Sequence, residues 1–332
     1  MSKTGILLLN IGTPAHPDTL SVFRYLKQFL SDPRVIDLPA LWRWLLVHGL
    51  ILPLRSRRSA RAYQQIWTQA GSPLLINSQR LQAALAAQLG NAYQVEIGMR
   101  YGKPDIHTAL KKLADCSQIK ILPLFPQYSS AATGSALAEA NLPQAVEQLY
   151  FYQHPGFIAA YLAVIKVQLA NKSVDKLIFS YHGLPERHLI HNQFGEGECH
   201  AVCDKQQDCP SMSAANQWCY RAQCYATSHL LAAGLQLKPA QYTVAFQSRL
   251  GRTPWIKPYT DLLLPVLLQQ GVKNIAVVCP SFVADCLETL EEVNIRLRAS
   301  WRQLGGGEFY FIPCLNDHPA WVEALREMVV SF

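Results

Sequence analysis

Short apolar runs closed by Gly, Pro, Asn or Ser alternate along the chain with longer stretches of helical spacing. This is the βαβ pattern of a parallel sheet with helices on both faces. The first half predicts strands over 5–10, 93–98, 119–124 and 149–153, and the second half over 176–181, 242–247, 274–279 and 309–314. Four strands recur twice. The expected fold is therefore α/β, with two similar Rossmann-like domains, each a four-stranded parallel sheet flanked by helices. The first domain is expected over 1–165 and the second over 166–318, joined through the polar connector in "LAVIKVQLANKSVDK", with a closing helix over 319–332.

Composition fits two domains of ordinary size, since 332 residues with half of them apolar can bury two medium cores. The start "MSKTGILLLNIGTP" reads as a buried strand rather than a signal peptide, so a cytoplasmic chain is expected. The net charge of +7 is modest and its basic residues are scattered, without a helix-turn-helix, RNP or zinc-knuckle pattern. No nucleic-acid partner is expected on this ground; an anionic small molecule or an anionic membrane surface fits as well.

The segment 38–54, "LPALWRWLLVHGLILPL", is strongly apolar, and Arg55, Arg57, Arg58 and Arg61 follow it. Arg43, His48, Gly49 and Pro53 interrupt it, so it is too short and too broken to span a bilayer. It reads either as a core helix hairpin with a basic end or as an exposed interfacial lip, through which 38–61 would touch the inner face of a membrane.

In open parallel sheets ligands bind beyond the carboxyl ends of the strands, and the residues there carry the candidate chemistry. No GxGxxG follows the first strand, which disfavours a dinucleotide site. "IFSYHGLPERH" places His182 just past an apolar strand and beside Gly183, where an imidazole can accept a proton or ligate a metal. In "VADCLETLEEVNIRLRA" the spacing of Asp285, Glu288 and Glu292 predicts three carboxylates in one file along a helix. Such a row of oxygen ligands suits a divalent cation that is held loosely and passed on, so metal transfer is the reaction type suggested. The segments "GMRYGKP" with Arg100, "PQYSSAATGS" with Tyr128 and Ser129, and "FQSRLGRTPW" with Trp255 offer a cation, hydroxyls and aromatic surface to a planar or anionic ligand.

Taken in order, "LLLNIGTP", "FLSDPRV", "GSPLL", "GMRYGKP", "LPLFPQYSS", "SYHGLP", "FQSRLGRTPW" and "DCLETLEE" resemble the ferrochelatases, over about residues 5–315. The resemblance implies two Rossmann-like domains with the active-site cleft between them, and insertion of ferrous iron, a substrate, into a porphyrin during haem synthesis. It implies His182 as proton acceptor or metal ligand and Glu288 as metal ligand or proton conduit. Phe282, Asp285 and Trp255 match other cleft positions, and 38–54 matches the lip through which porphyrin enters. Ala15 follows the GTP turn where the relatives that metallate coproporphyrin carry Tyr, so the resemblance favours protoporphyrin IX. Another tetrapyrrole chelatase, such as a cobalt enzyme, or a non-catalytic haem or iron–sulfur sensor on the same scaffold are the alternatives. Oligomeric state is left open.

Nine cysteines in a cytosolic chain do not suggest a disulfide framework, and clustered thiols suggest metal. Compared with ordinary bacterial relatives, about 192–221 looks like an insertion, within which Cys199, Cys203, Cys209 and Cys219 follow C-x3-C-x5-C-x9-C. Four thiolates satisfy a 2Fe–2S cluster or a zinc site, and the absence of paired C-x2-C knuckles favours the cluster over zinc. Some bacterial ferrochelatases are similar in carrying a 2Fe–2S cluster on an internal cysteine segment. Cys224, in the following helix, is a further candidate.

Overall fold

In a computed structural model of the chain, the described residues are 3–143, 145–192, 195–196, 208–251 and 253–331. The chain divides into two compact units, one of Met1–Leu124, Ser129–Leu149 and Val322–Phe332, the other of Phe125–Tyr128 and Tyr150–Trp321. The helix Pro155–Leu169, which the sequence assigns to the first half, thus belongs with the second unit.

The first unit is built on β1 (Thr4–Thr13), β2 (Tyr93–Gly102), β3 (Gln118–Pro123) and β4 (Val146–Glu147), all parallel, in the order β2-β1-β3-β4. Ile6, Leu7, Leu8 and Leu9 of β1 are all fully buried. That is what a central strand covered on both faces requires, and it explains the unbroken apolar run in the sequence.

The second unit repeats the plan with β5 (Lys176–His182), β6 (Tyr242–Gln247), β7 (Ile275–Val278) and β8 (Phe309–Phe311), in the order β8-β7-β5-β6. Read from its own first strand, this is the same 2-1-3-4 order as in the first unit. Its pairings are parallel as well. Val293, Leu297 and Trp301, spaced along one helix face, pack with Ile178, Val277 and Ala245 of the strands into one core cluster.

One expected strand is displaced. The run 149–153 is not extended sheet; the fourth strand is the short β4 just before it. The buried rings of Phe151 and Tyr152 serve instead as packing in the second unit, where Phe151 lies 5.5 Å from Trp321 and its amide donates to the Pro126 carbonyl. Aromatic density made the run look like a strand, because apolar periodicity alone does not separate a sheet from a buried loop.

The apolar segment is not a hairpin. Ala40–Leu45, Leu46–Ile51 and Leu52–Ile66 follow one another as contiguous helix, the middle stretch being wound with i→i+5 bonds. Val47 and Leu52 anchor its inner face against Leu30 in a small core of their own. Its outer face exposes Leu41, Trp42, Trp44, Leu45, Leu50 and Leu54, with Trp42 at 65% and Leu54 at 68%. Among the described residues, no helix is long and apolar enough to cross a membrane.

Candidate active site

The sheet order of the second unit reverses direction between β5 and β7, the place where ligands bind in doubly wound folds. His182 is the last residue of β5, and Ser281 and Phe282 follow β7 closely. Three hydrogen bonds pin the backbone about His182. Its amide donates to Ser281 Oγ at 3.0 Å, its carbonyl accepts from the Tyr220 phenol at 2.9 Å, and the Gly183 amide donates to the Gln247 carbonyl at 2.8 Å. Gly183 has a packing reason to be glycine: a Cβ there would stand 2.8 Å from the Gln247 carbonyl oxygen and 3.2 Å from the Trp255 ring.

The imidazole is oriented by the same turn. His182 Nδ1 lies 2.6 Å from the Gly183 carbonyl oxygen. A carbonyl only accepts, so Nδ1 is the donor in this contact, and in the neutral ring Nε2 is the nitrogen that offers a lone pair to a proton or a metal. Trp255 and Phe282 stand beside the ring, with centroids at 6.5 and 6.2 Å. The Trp255 indole is held by donation to the Leu250 carbonyl, and the buried Tyr161 phenol donates to the Phe282 carbonyl.

The acidic helix departs from the expected single file. Asp285 precedes it, and Glu288–Leu297 is wound with i→i+5 bonds before α-helix resumes at Arg298–Gln303. Glu288 and Glu292 lie four residues apart on this stretch, and Glu291 pairs with Arg296 five residues on, at 3.0 Å. Glu288 is tied to the His182 side of the sheet through its backbone, because the Gln247 amide donates to its carbonyl at 2.9 Å. Gln247 in turn accepts from Ser180 Oγ at 2.6 Å. Glu292 receives both the amide and the hydroxyl of Ser248, at 2.9 and 2.5 Å. Burial pushes its titration up; the Ser248 hydroxyl, Arg296 and the nearby His182 pull it back only in part.

Asp285 is buried, and its oxygens accept from Thr289 Oγ1 at 3.0 Å, Asn316 Nδ2 at 2.8 Å and the Cys314 amide at 3.2 Å. Its carboxylate therefore fastens the start of the helix to the segment after β8. Tyr128, also buried in the second unit, gives its amide to Gln223 Oε1 at 2.7 Å and packs edge-on against Trp218 at 5.4 Å.

Two candidate residues sit in the first unit. Ser129 accepts from the Ala132 amide at 3.1 Å and so caps the following helical turn. Each nitrogen group of the Arg100 guanidinium has an acceptor: Nε reaches Ser135 Oγ at 2.7 Å, Nη2 reaches Asp32 at 2.8 Å and Nη1 reaches Glu139 at 3.0 Å. Tyr101 and Ser135 also donate to Asp32. Burial pushes the Asp32 carboxyl up, but Ser135, the Arg34 amide, Tyr101 and the Arg100 charge outweigh it and hold it below its ordinary value.

Of the candidate cluster ligands, Cys199 and Cys203 lie outside the described residues. Cys209 and Cys219 are both buried. Arg221, itself only 5% exposed, donates to Cys209 Sγ at 2.8 Å and lies over the Tyr225 ring at 4.5 Å. A buried cation against sulfur would balance the charge of a thiolate bound to metal, so this environment fits a soft metal or cluster. Burial pushes the Cys224 thiol well up, and Cys209 and Cys219 are close enough to add to that push. Among the described residues alone, no three His, Cys, Asp or Glu side chains gather as a ligand set.

The positioning shell of Tyr220, Gln247, Ser248 and Ser281 is the part that sequence reading missed. Gln247 and Ser248 sit at the end of β6, where strand-end logic points, but nothing in their spacing says which loop they will hold.

The ferrochelatase family model matches residues 3–331. A ferrochelatase of Legionella pneumophila is 52% identical over 335 residues, covering 98% of both chains. One of Coxiella burnetii is 50% identical over 334 residues, covering 98% of this chain and 93% of the relative. Among solved structures, a multi-domain protein of Deinococcus radiodurans described as structurally similar to chelatases superposes with a TM-score of 0.50 at 13% identity. That match covers 98% of this chain but only 54% of the other, and it speaks to the fold alone. With the family model spanning nearly every residue and relatives half identical along their whole length, the chain belongs to the ferrochelatase family, enzymes that insert iron in haem biosynthesis.

Proposed function

We propose that the chain inserts ferrous iron into protoporphyrin IX, with His182 Nε2 accepting a pyrrole proton and Glu288, supported by Glu292, receiving metal or relaying protons. Metallation balances as one Fe(II) in and two protons out, so a site for it needs at least two acceptors. The observation that carries the reading is the orientation of His182, whose Nδ1 lies 2.6 Å from the Gly183 carbonyl oxygen, so that Nε2 is the ring nitrogen that remains for a proton or a metal. Glu292 would serve as a second acceptor: burial raises its titration above the ordinary carboxylate value, which makes it a better base than an exposed acid.

Trp255 and Phe282 offer flat apolar surface beside the imidazole, suited to a macrocycle. Bending that macrocycle to expose its nitrogens costs roughly 1–5 kcal/mol, drawn from contacts with the rest of the ring. Ala15, exposed just beyond β1, is the residue on which the preference for protoporphyrin over coproporphyrin rests.

Cys209 and Cys219, with Cys199 and Cys203, would hold a 2Fe–2S cluster. When bound, it would cross-link the segment and provide a one-electron centre. The exposed Leu and Trp face of 40–54, followed by Arg57, Arg58 and Arg61, would rest on the anionic inner face of a membrane.

Assay of iron insertion with His182→Ala and Glu288→Gln tests the core of the reading. Both are expected to lose turnover while melting near wild type, and full activity in either would overturn it. Parallel assays with protoporphyrin and coproporphyrin, and with Co(II) in place of Fe(II), decide substrate and metal.

A further inference from the structure

Among the described residues, the side chain of Tyr220 links the end of the cysteine segment to the loop at His182. Cys219 caps the helix Tyr220–Gly234, and its carbonyl accepts from the Gln223 amide at 3.0 Å. The very next residue, Tyr220, is buried and donates its phenol to the His182 carbonyl at 2.9 Å. The residue before, Trp218, packs at 5.4 Å against both Tyr128 and Tyr150. The segment leading to Cys219 is itself ordered. Buried Asn216 accepts from the Ser213 amide at 2.7 Å and donates to the Ser211 carbonyl at 3.1 Å, and the Cys219 amide donates to the Asn216 carbonyl at 2.9 Å. Displacing Cys219 therefore displaces Tyr220 at once, because one peptide bond separates them and the helix starts there.

The contact falls where it matters for the imidazole. The His182 carbonyl and the Gly183 amide belong to one peptide plane, clamped at its oxygen by Tyr220 and at its nitrogen by Gln247. The carbonyl that fixes the His182 tautomer belongs to the next peptide, Gly183. The two planes meet at Gly183, which is held closely by the Gln247 carbonyl and the Trp255 ring, so a tilt of the first plane is carried to the second.

We propose that Tyr220 is a positioning residue for His182, through which the cysteine segment sets the geometry of the proton-accepting imidazole. This rests on the reading of His182 as proton acceptor. It assigns the segment an action on turnover that does not require it to touch porphyrin or iron. Ordering at Cys219, whatever ligates its sulfur, is transmitted by one hydrogen bond.

The test compares wild type, Tyr220→Phe, Cys219→Ser and the double variant, with His182→Ala as control, in the full-length protein. Tyr220→Phe is expected to lower kcat about three- to tenfold, the scale of one lost hydrogen bond, with KM for porphyrin unchanged. In 15N-histidine-labelled protein the His182 ring signals should lose the Nδ1–H tautomer signature. Cys219→Ser should lower kcat in the wild-type background and by clearly less in the Tyr220→Phe background, because the two act through one contact. Where Tyr220→Phe melts early, the same comparison is run well below its midpoint. Unchanged kcat and ring signals in Tyr220→Phe would overturn the positioning role, and costs that multiply in the double variant would overturn the link to Cys219. Retained activity in His182→Ala would instead remove the proton-acceptor reading and leave the hydrogen bond a structural one.

Discussion

Ser248 holds the Glu292 carboxylate from two directions, its amide on Oε1 and its hydroxyl on Oε2. Ser248 itself adopts φ 67°, a left-handed conformation that non-glycine residues seldom take. The turn after β6 thus keeps an uncommon backbone state that brings both donors to one acid, as strained residues at functional sites do.

Glu292 is expected to set a pH limb of turnover. Burial raises its titration and Ser248 opposes that rise, so Ser248→Ala should push it further up. The acidic limb of kcat should then move to higher pH. Stability runs the other way. A carboxyl raised on folding stabilises the fold below its ordinary titration range, and that contribution is lost as pH rises through the raised value. Glu292→Gln should therefore melt above wild type near neutral pH, with the gap closing toward acid, while turning over more slowly. A kcat profile unmoved by Ser248→Ala would exclude Glu292 from the proton path.

Arg100 is expected to act on the stability of the first unit. Its partners Asp32, Ser135 and Glu139 already surround it, and removing one member of a buried pair typically costs about 3–5 kcal/mol. Arg100→Met should lower the melting temperature by several degrees, with KM for porphyrin little changed. Because Asp32 is held below its ordinary range, its contribution is present above that range and is lost as pH falls through the lowered value. The gap between Arg100→Met and wild type should accordingly shrink in acid. A large rise in KM without loss of stability would return Arg100 to substrate binding.

The buried strands were legible because a parallel sheet covered on both faces needs unbroken apolar runs, and β1 and β5 supply them with almost no interruption. His182 followed from that, being simply where β5 ends. The displaced fourth strand was not legible, since the rings of Tyr150, Phe151 and Tyr152 satisfy a loop packed on Trp218 and Trp321 as well as they would a sheet. The i→i+5 winding of Glu288–Leu297 was hidden too, because a spacing of three and four looks α-helical until the backbone bonds are known. Asp285 drops out of the acid file for a local reason, the pull of Asn316, Thr289 and the Cys314 amide.

The exposed face of Ala40–Leu45 and the stretches after it should bind vesicles containing anionic lipid. Trp42 and Trp44 supply interfacial aromatic surface, and Arg57, Arg58 and Arg61 supply charge. In sedimentation with such vesicles, the pair Trp42→Ser and Trp44→Ser should lose most binding at unchanged melting temperature. Arg57→Glu with Arg58→Glu should remove the dependence on anionic lipid. Binding that survives both pairs of changes, or that is equal on neutral vesicles, would count against a membrane face here.

Cys209 offers the clearest separation of cluster from zinc. Its sulfur accepts from the buried Arg221 guanidinium, which would offset negative charge on a metal-bound sulfur. A 2Fe–2S cluster should colour the purified protein, with broad visible absorption, acid-labile sulfide and two irons per chain, all lost in Cys209→Ser. Zinc would leave the protein colourless, with about one metal ion per chain and the same dependence on Cys209. Arg221→Gln should weaken retention of either metal, because it removes the positive charge that sits against the sulfur. Colour and metal content unaffected by Cys209→Ser would show that Cys209 is not a ligand and leave the Arg221 contact as packing in the segment before Tyr220.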